Sequence, residues 1–348
     1  MARVLFVHTN LTSFTKIDLE ILKASHDVRE LHFRRQPAQL FQSISRSASG
    51  AVWADVVVSW FGTFHALFAF AVARLLGRKC IVIASGYDLA AVPEIDYGNM
   101  RPGVRRLVGR SVLGMAHQVL AVSEFAAKEA RENARVPDAK LKVIRHGLAD
   151  PTKGAGVPDV EKREGRVLSV GEVNQSNLTR KGLATFVRAA HTLPDTPFEL
   201  VGFWADDGAI EFLRSIAPAN VEFVGRASDA DLMARMRTAK VYVQVSGHEA
   251  FGVALAEAML HGCVPVVTDR GALPEVVGDA GRYVPYGDAD ATAASIREAL
   301  RSDQSNGLRA RNRILDHFPL AVRRRELLSA VDDALTGSAI RASDATSA

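Results

Sequence analysis

The chain has 348 residues, 48% of them hydrophobic, which is enough to bury large cores and suggests two domains. Its 43 Lys and Arg against 39 Asp and Glu leave a formal net charge of +4. That is too mild to mark a nucleic-acid binder, although it suits a surface that attracts acidic ligands or anionic lipid. Cys80 and Cys263 lie in apolar runs in different halves, which argues for reduced, buried thiols over a disulfide framework and gives no metal-ligand spacing.

The opening "MARVLFVHTN" reads as a first strand, without the charged start, long apolar core and cleavage site of a signal peptide. No apolar stretch is long enough to span a bilayer, so a cytoplasmic protein is expected. Continuous apolar runs follow in the first half: "DVVVSW", "CIVIAS", "QVLAVS" and "KVIRHG". The second half supplies "RVLSVG", "FELVGF", "VEFVG", "VYVQVS" and "VPVVTD". Strands that are continuously apolar, separated by helical spacing, predict parallel sheets covered by helices on both faces. "LADPTKGAGVPDVEKREGR", rich in Pro, Gly and charge, reads as a linker between the halves. The boundaries drawn from this are a first domain over 1–150, a linker over 151–165 and a second domain over 166–318. A late helix over 319–336 and a disordered tail over 337–348 complete the chain, the helix being expected to cross back to the first domain.

The stretch "YGNMRPGVRRLVGRSVLGMAHQ" mixes Arg101, Arg105, Arg106 and Arg110 with Val104, Leu107, Val108 and Leu113. A basic amphipathic helix of this kind can lie on an anionic membrane, and it reads equally well as a solvated helix face.

"GHEAFGVALAEAMLHGCVPVV", beginning at Gly247, poses a sharper problem. A helix after Gly252 would be apolar on nearly every side, yet it carries Glu257. The strand before it ends near Ser246, so His248 and Glu249 fall in a turn at the carboxyl end, where parallel sheets bind ligands. The amides of Phe251, Gly252 and Val253 would then favour an anion such as a diphosphate. Glu257 lies about one and a half turns further on, within reach of the same ligand, and a ribose diol would satisfy its carboxylate. Taken alone, Glu257 reads better as the partner of a buried Arg or Lys that fixes packing.

The ordered string "EAFGVALAEAMLHGCVPVVTDRGALPEVVGD" resembles the signature of glycosyltransferase family 4. These are retaining enzymes of GT-B fold, in which two doubly wound Rossmann-like domains face a central cleft. The matching positions are Glu249, Glu257, Gly262 to Val267 and Gly271 to Val277, with "YVPYGDADATAASIREAL" continuing the likeness. The resemblance implies that Glu257 holds the ribose of a nucleotide-sugar donor and that Glu249 lies beside its sugar ring. "VGEVNQSNLTRKGLATFVRAA" is similar to the family's donor-phosphate loop, which implies that Lys181, with Arg180 beside it, stabilises the leaving diphosphate. The family's arginine after the first glycine is here Glu172. In the first half "SGYD" resembles the family's "H-G-x-D" turn, with Ser85 in place of histidine. Gly86, Tyr87 and Asp88 are therefore expected on the acceptor side, Asp88 binding an acceptor hydroxyl, with His65 and His8 as substitute histidines.

What the resemblance implies is a retaining glycosyltransferase acting from a UDP-, GDP- or ADP-sugar on the hydroxyl of a glycan, lipid-linked or small-molecule acceptor. It needs no metal or other cofactor and no nucleic acid, and it is cytoplasmic, with contact to the inner membrane face as an option. The rival readings are a non-catalytic nucleotide-sugar-binding subunit, which Glu172 and Ser85 favour, and a GT-B nucleotide-sugar epimerase, which the two-glutamate string disfavours.

Overall fold

A computed structural model describes residues 1–34, 36–152 and 163–337, with the side chain of Glu164 left out. The chain divides into two compact units, one of residues 1–147 with 320–348 and the other of residues 148–319.

The first unit runs β1 (Arg3–His8), α1 (Ser13–Lys23), β2 (Asp27–His32), α2 (Pro37–Trp53), β3 (Val56–Trp60), α3 (Phe64–Leu75) and β4 (Lys79–Ala84). It continues with α4 (Val104–Met115), β5 (Gln118–Ala121), α5 (Glu124–Glu132) and β6 (Leu141–Val143). Its strands are all parallel, in the order β2-β1-β3-β4-β5-β6. The β-branched runs Val56–Val58 and Ile81–Ile83 are wholly buried, as strands covered on both faces must be. Ser123 caps α5, its Oγ accepting the Ala126 amide at 2.9 Å.

The second unit runs β7 (Glu164–Val170), α6 (Gln175–Arg180), α7 (Leu183–Ala189), β8 (Phe198–Val201), α8 (Asp207–Ser215), β9 (Val221–Gly225) and α9 (Asp229–Thr238). After these come β10 (Ala239–Gln244), α10 (Val253–Leu260), β11 (Val264–Thr268), α11 (Leu273–Val277), β12 (Arg282–Val284), α12 (Ala289–Arg301) and α13 (Gln304–His317). The parallel order is β12-β11-β10-β7-β8-β9. Val241, Val243 and Val245 face the α7 and α12 side of this sheet with Phe186, Phe198 and Ile296. By the period of two, Tyr242 and Gln244 face the other side.

Strand order reverses once in each sheet, between β1 and β3 and between β7 and β10. Such a reversal leaves a crevice at the carboxyl ends where the crossover helices part to opposite faces, so these are the places to look for ligands.

Two strands lie outside the ten apolar runs of the sequence. Both are edges: β2, exposed along most of its length, and the three-residue β12. Strand β7 begins at Glu164, inside the stretch assigned to the linker, while residues 153–162 and 338–348 lie outside the described residues.

The last helix, α14 (Leu320–Thr336), belongs to the first unit. Arg323 Nε and Nη2 bond the two oxygens of Asp18 at 2.9 and 2.5 Å, and its Nη1 donates to the Ile144 carbonyl at 2.6 Å. Trp60 Nε1 gives Asp18 a further bond at 2.9 Å. Both charged groups are buried, and the bonds they share offset the loss of water. Among the described residues no helix is long and apolar enough to cross a membrane.

Candidate active site

In the second unit the crevice between β7 and β10 is built from two loops. Asn174 opens α6 by capping it, and Arg180 closes it. Gly182 then turns the chain into α7 at φ 67°, where a Cβ would lie 2.2 Å from the Val245 carbonyl oxygen, so only glycine fits. The Arg180 carbonyl accepts the Gly247 amide at 2.8 Å, which joins this loop to the turn after β10. Tyr286 adds a second tie, its hydroxyl donating to the Thr179 carbonyl at 2.9 Å.

These ties bring Lys181 to Glu249, with Nζ 3.7 Å from a carboxylate oxygen. The same oxygen accepts Gln244 Nε2 at 2.9 Å. Arg180 is turned aside: Nε and Nη2 hold Asn177 Oδ1 at 3.1 and 2.6 Å, and Nη1 reaches the His248 carbonyl at 3.5 Å. Its visible work is to brace the loop, while Lys181 carries the charge beside Glu249. Glu172, exposed, accepts Asn174 Nδ2 at 2.6 Å.

Helix α10 starts at Val253, one residue after Gly252. Gly252 adopts φ 94°, and a Cβ there would meet only ordinary contacts from 3.4 Å outward. The glycine is thus required by the backbone turn and not by crowding from the protein around it. As a cap it supplies no side-chain acceptor, and the first helical bond runs from Ala256 to Gly252, so the first-turn amides from Val253 have no helical partner. The Phe251 ring packs edge-on to Phe318 in the core at 5.2 Å, so what this residue can offer a ligand is its backbone amide. His248 is likewise buried.

Glu257 is the fifth residue of α10 and half-buried. No hydrogen bond or ion pair meets its carboxylate among the described residues, so the ion-pair reading of this residue finds no support there. Burial, reinforced by Asp229, pushes its pKa up to about 7. Tyr242 beneath it is pushed well above the usual phenol range by burial first, then by Glu249 and Glu257. Gln244, Tyr242 and Tyr286 were not singled out in the sequence. The first two follow from strand alternation once β10 is placed; Tyr286 lies in the string "YVPYGDADATAASIREAL", but only the fold shows that it reaches the Thr179 carbonyl.

In the first unit a cavity of about 650 Å³ opens at the carboxyl ends of β1, β2 and β3. Tyr87 and His65 line it, as do Thr9, Asn10, His32 and Arg34, which the sequence did not flag. His65 is held on both ring nitrogens: Nε2 donates to the Trp60 carbonyl at 2.7 Å, and Nδ1 meets the Thr63 hydroxyl at 2.8 Å. His8 lies below, buried, its Nε2 3.0 Å from Glu30 and its ring stacked on His32. Burial lowers its pKa despite Glu30.

Asp88 requires a correction. It is fully buried, and its oxygens accept the Gly62 and Ser85 amides at 2.8 and 3.0 Å. Gly86 accepts the Ala90 amide at 2.9 Å within the same turn. Asp88 therefore fastens the loops after β3 and β4 together and does not offer itself to an acceptor hydroxyl.

Among the described residues no cluster of three or more His, Cys, Asp or Glu is placed to hold a metal ion. Residues 164–302 match the family model for glycosyl transferases group 1. This part of the chain is a group 1 glycosyltransferase domain. A phosphatidyl-myo-inositol mannosyltransferase of Mycolicibacterium smegmatis is 35% identical over 221 residues, covering 61% of this chain and 53% of that protein. O-antigen chain mannosyltransferase B of Escherichia coli is 28% identical over 207 residues, covering 55% and 53%. The chain thus spans about half the length of the curated relatives it matches. The structure of Anabaena HepE in complex with UDP-glucose superposes with a TM-score of 0.80 at 16% identity, covering 96% of this chain and all of that one. That likeness establishes the GT-B fold.

Proposed function

We propose that the protein is a retaining glycosyltransferase of family 4 type, moving a sugar from a nucleoside-diphosphate sugar to an acceptor hydroxyl. The observation that carries this is Glu257: a half-buried carboxylate with no protein donor among the described residues, on the helix whose first turn adjoins the Lys181–Glu249 pair. A ribose diol supplies the two donors such a carboxylate lacks. Glu249 then orients the sugar hydroxyls, and Lys181 with the α10 amides stabilises charge on the departing diphosphate. In the front-face reaction the acceptor oxygen bonds to the anomeric carbon on the side from which the phosphate oxygen leaves. The acceptor proton passes to that phosphate. The mannosyltransferase relatives favour mannose as the sugar.

Donor and acceptor work would be divided between the second and the first unit. The face of α4, with Val104 and Leu107 exposed beside Arg105, supports a cytoplasmic protein that touches anionic membrane.

Thermal shifts with GDP, UDP and ADP, followed by assays of transfer and hydrolysis with the matching mannose and glucose donors, test the reading. Lys181→Ala is expected to lower turnover by about 100-fold while weakening free-nucleotide binding far less, because its charge acts on the transition state. Equal losses would make Lys181 a ground-state binder. Nucleotide binding without transfer or hydrolysis would favour the non-catalytic reading.

A further inference from the structure

Gln244 ends β10 at a position only 6% exposed, with Val243 and Val245 turned to the opposite face of the sheet. The Gly252 turn lies against its amide, since a Cβ there would stand 3.4 Å from Gln244 Nε2. An apolar side chain would fill such a place readily, whereas a buried amide needs a partner. That partner is Glu249, whose Oε2 accepts Gln244 Nε2 at 2.9 Å.

The Glu249 backbone is held as well. Its carbonyl accepts the Ala272 amide at 2.8 Å, and Gly271, at φ 63°, passes so close that a Cβ would lie 2.3 Å from that oxygen. With the main chain fixed, the side-chain rotamer decides where the carboxylate oxygens stand. Lys181 Nζ lies 3.7 Å from Oε2, within ion-pair range but too far for a hydrogen bond. Oε1 meets no donor among the described residues. The two side chains are 24% and 16% exposed, so a closed contact between them would be little screened. A closed pair would leave neither group free for a ligand. The bond from Gln244 occupies the oxygen on which Lys181 would close.

We propose that Gln244 is a positioning residue, which holds Glu249 so that Oε1 stays open to a sugar hydroxyl and Lys181 stays available to the diphosphate. The roles of Glu249 and Lys181 rest on the glycosyltransferase reading; the hydrogen bond that spaces them does not. An amide suits the task because it donates at every pH and adds no charge to the pair.

Two variants test this. Gln244→Met removes the donor at similar length, and Gln244→Glu puts a second carboxylate in its place. While those two acids share a proton the hydrogen bond is restored; once it leaves, like charges part and Glu249 is driven toward Lys181. The other ionisable groups on the surrounding elements are Tyr242 on the same strand, Glu257 on α10, His248 and Arg180 in the adjoining loops, and Asp269 and Arg270, which pair with each other before Gly271. All are common to the three proteins, including Glu257 with its pKa raised to about 7, so the wild type and Gln244→Met serve as controls.

Hydrolysis of GDP-mannose and of UDP-glucose would be followed across pH, with calorimetry of GDP and UDP alongside. In Gln244→Met kcat should fall about 10- to 100-fold, the range for a lost hydrogen bond to a charged group, while nucleotide affinity changes less than about twofold. Gln244→Glu should approach wild-type turnover near about pH 5 and lose it as pH rises, a step that neither control shows. Full turnover in Gln244→Met overturns the proposal. So does Gln244→Glu without its pH step, or an equal loss of turnover and nucleotide affinity, either of which leaves Gln244 a packing role. A wild type that cleaves neither donor removes the glycosyltransferase reading, and the positioning role falls with it; with an active wild type the variants judge Gln244 alone.

Discussion

Asp88 in the first unit and Glu257 in the second are both carboxyl groups in apolar surroundings. Burial pushes the first up to about 6 and the second up to about 7. Their partners separate them. Each oxygen of Asp88 takes a backbone amide, from Gly62 and Ser85, while no donor among the described residues reaches Glu257. A buried acid whose acceptor capacity is filled by the backbone is part of the scaffold; one whose capacity is open is suited to a ligand. Following each oxygen to its donor is what separates their roles, since a pKa raised by burial is common to both.

The largest effect that tests this contrast should come from Asp88→Ala. It leaves two inward-facing amides without an acceptor and should lower stability by about 2–4 kcal/mol. Urea unfolding measures the loss, and nucleotide affinity of the folded fraction should not change. If Asp88→Ala is as stable as the wild type and acceptor saturation alone suffers, Asp88 is a ligand group after all. Asp88→Asn should fall between, because its amide oxygen can serve one donor and its NH₂ would face the other.

Glu257→Ala should do the opposite. Nucleotide binding is expected to weaken by about 1.5–3 kcal/mol, the range for hydrogen bonds to a charged group, with folding intact. Unchanged affinity in a calorimeter would remove the ribose assignment and with it the difference between the two acids.

The smallest effect is in the pH dependence. Glu257 has its pKa raised from 4.5 to about 7, so the folded chain retains a proton that the unfolded chain releases between those values. Stability therefore falls as pH rises through that window. Glu257→Gln should remove that share: no gain below about pH 4.5, and a gain on the order of 1 kcal/mol by pH 8, allowing for partial exposure. Thermal melts of the two proteins across this range, subtracted, isolate Glu257 from Asp88, which titrates in the same sense. A difference that does not vary with pH would mean that the group is fully solvated.

Much of the donor side could be read in the sequence because its residues are neighbours there. Glu249 and Glu257 are eight positions apart on one turn and helix, and Lys181-Gly182 follows one strand. The acceptor side is assembled from distant pieces. Asp88 was misread because the amide that occupies it belongs to Gly62, 26 residues earlier, and nothing local announces it. The cavity-lining residues His32 and Arg34 were passed over because β2, "DVRELH", is a polar edge strand without an apolar run, and a residue at a carboxyl end cannot be noticed before its strand is. The buried strands of both sheets were plain, since continuous Val, Ile and Leu are what two covered faces demand.

The Asp18–Arg323 pair also sets an order of events during synthesis. Asp18 and Trp60 leave the ribosome early, but the guanidinium that completes their network follows some 300 residues later, on α14. The second unit, continuous from 148 to 319, has emerged in full before that helix appears. The half of the protein that is made first is therefore finished last. Until Arg323 arrives, Asp18 lacks the guanidinium that offsets its burial, and the surface that α14 will cover stays open to solvent.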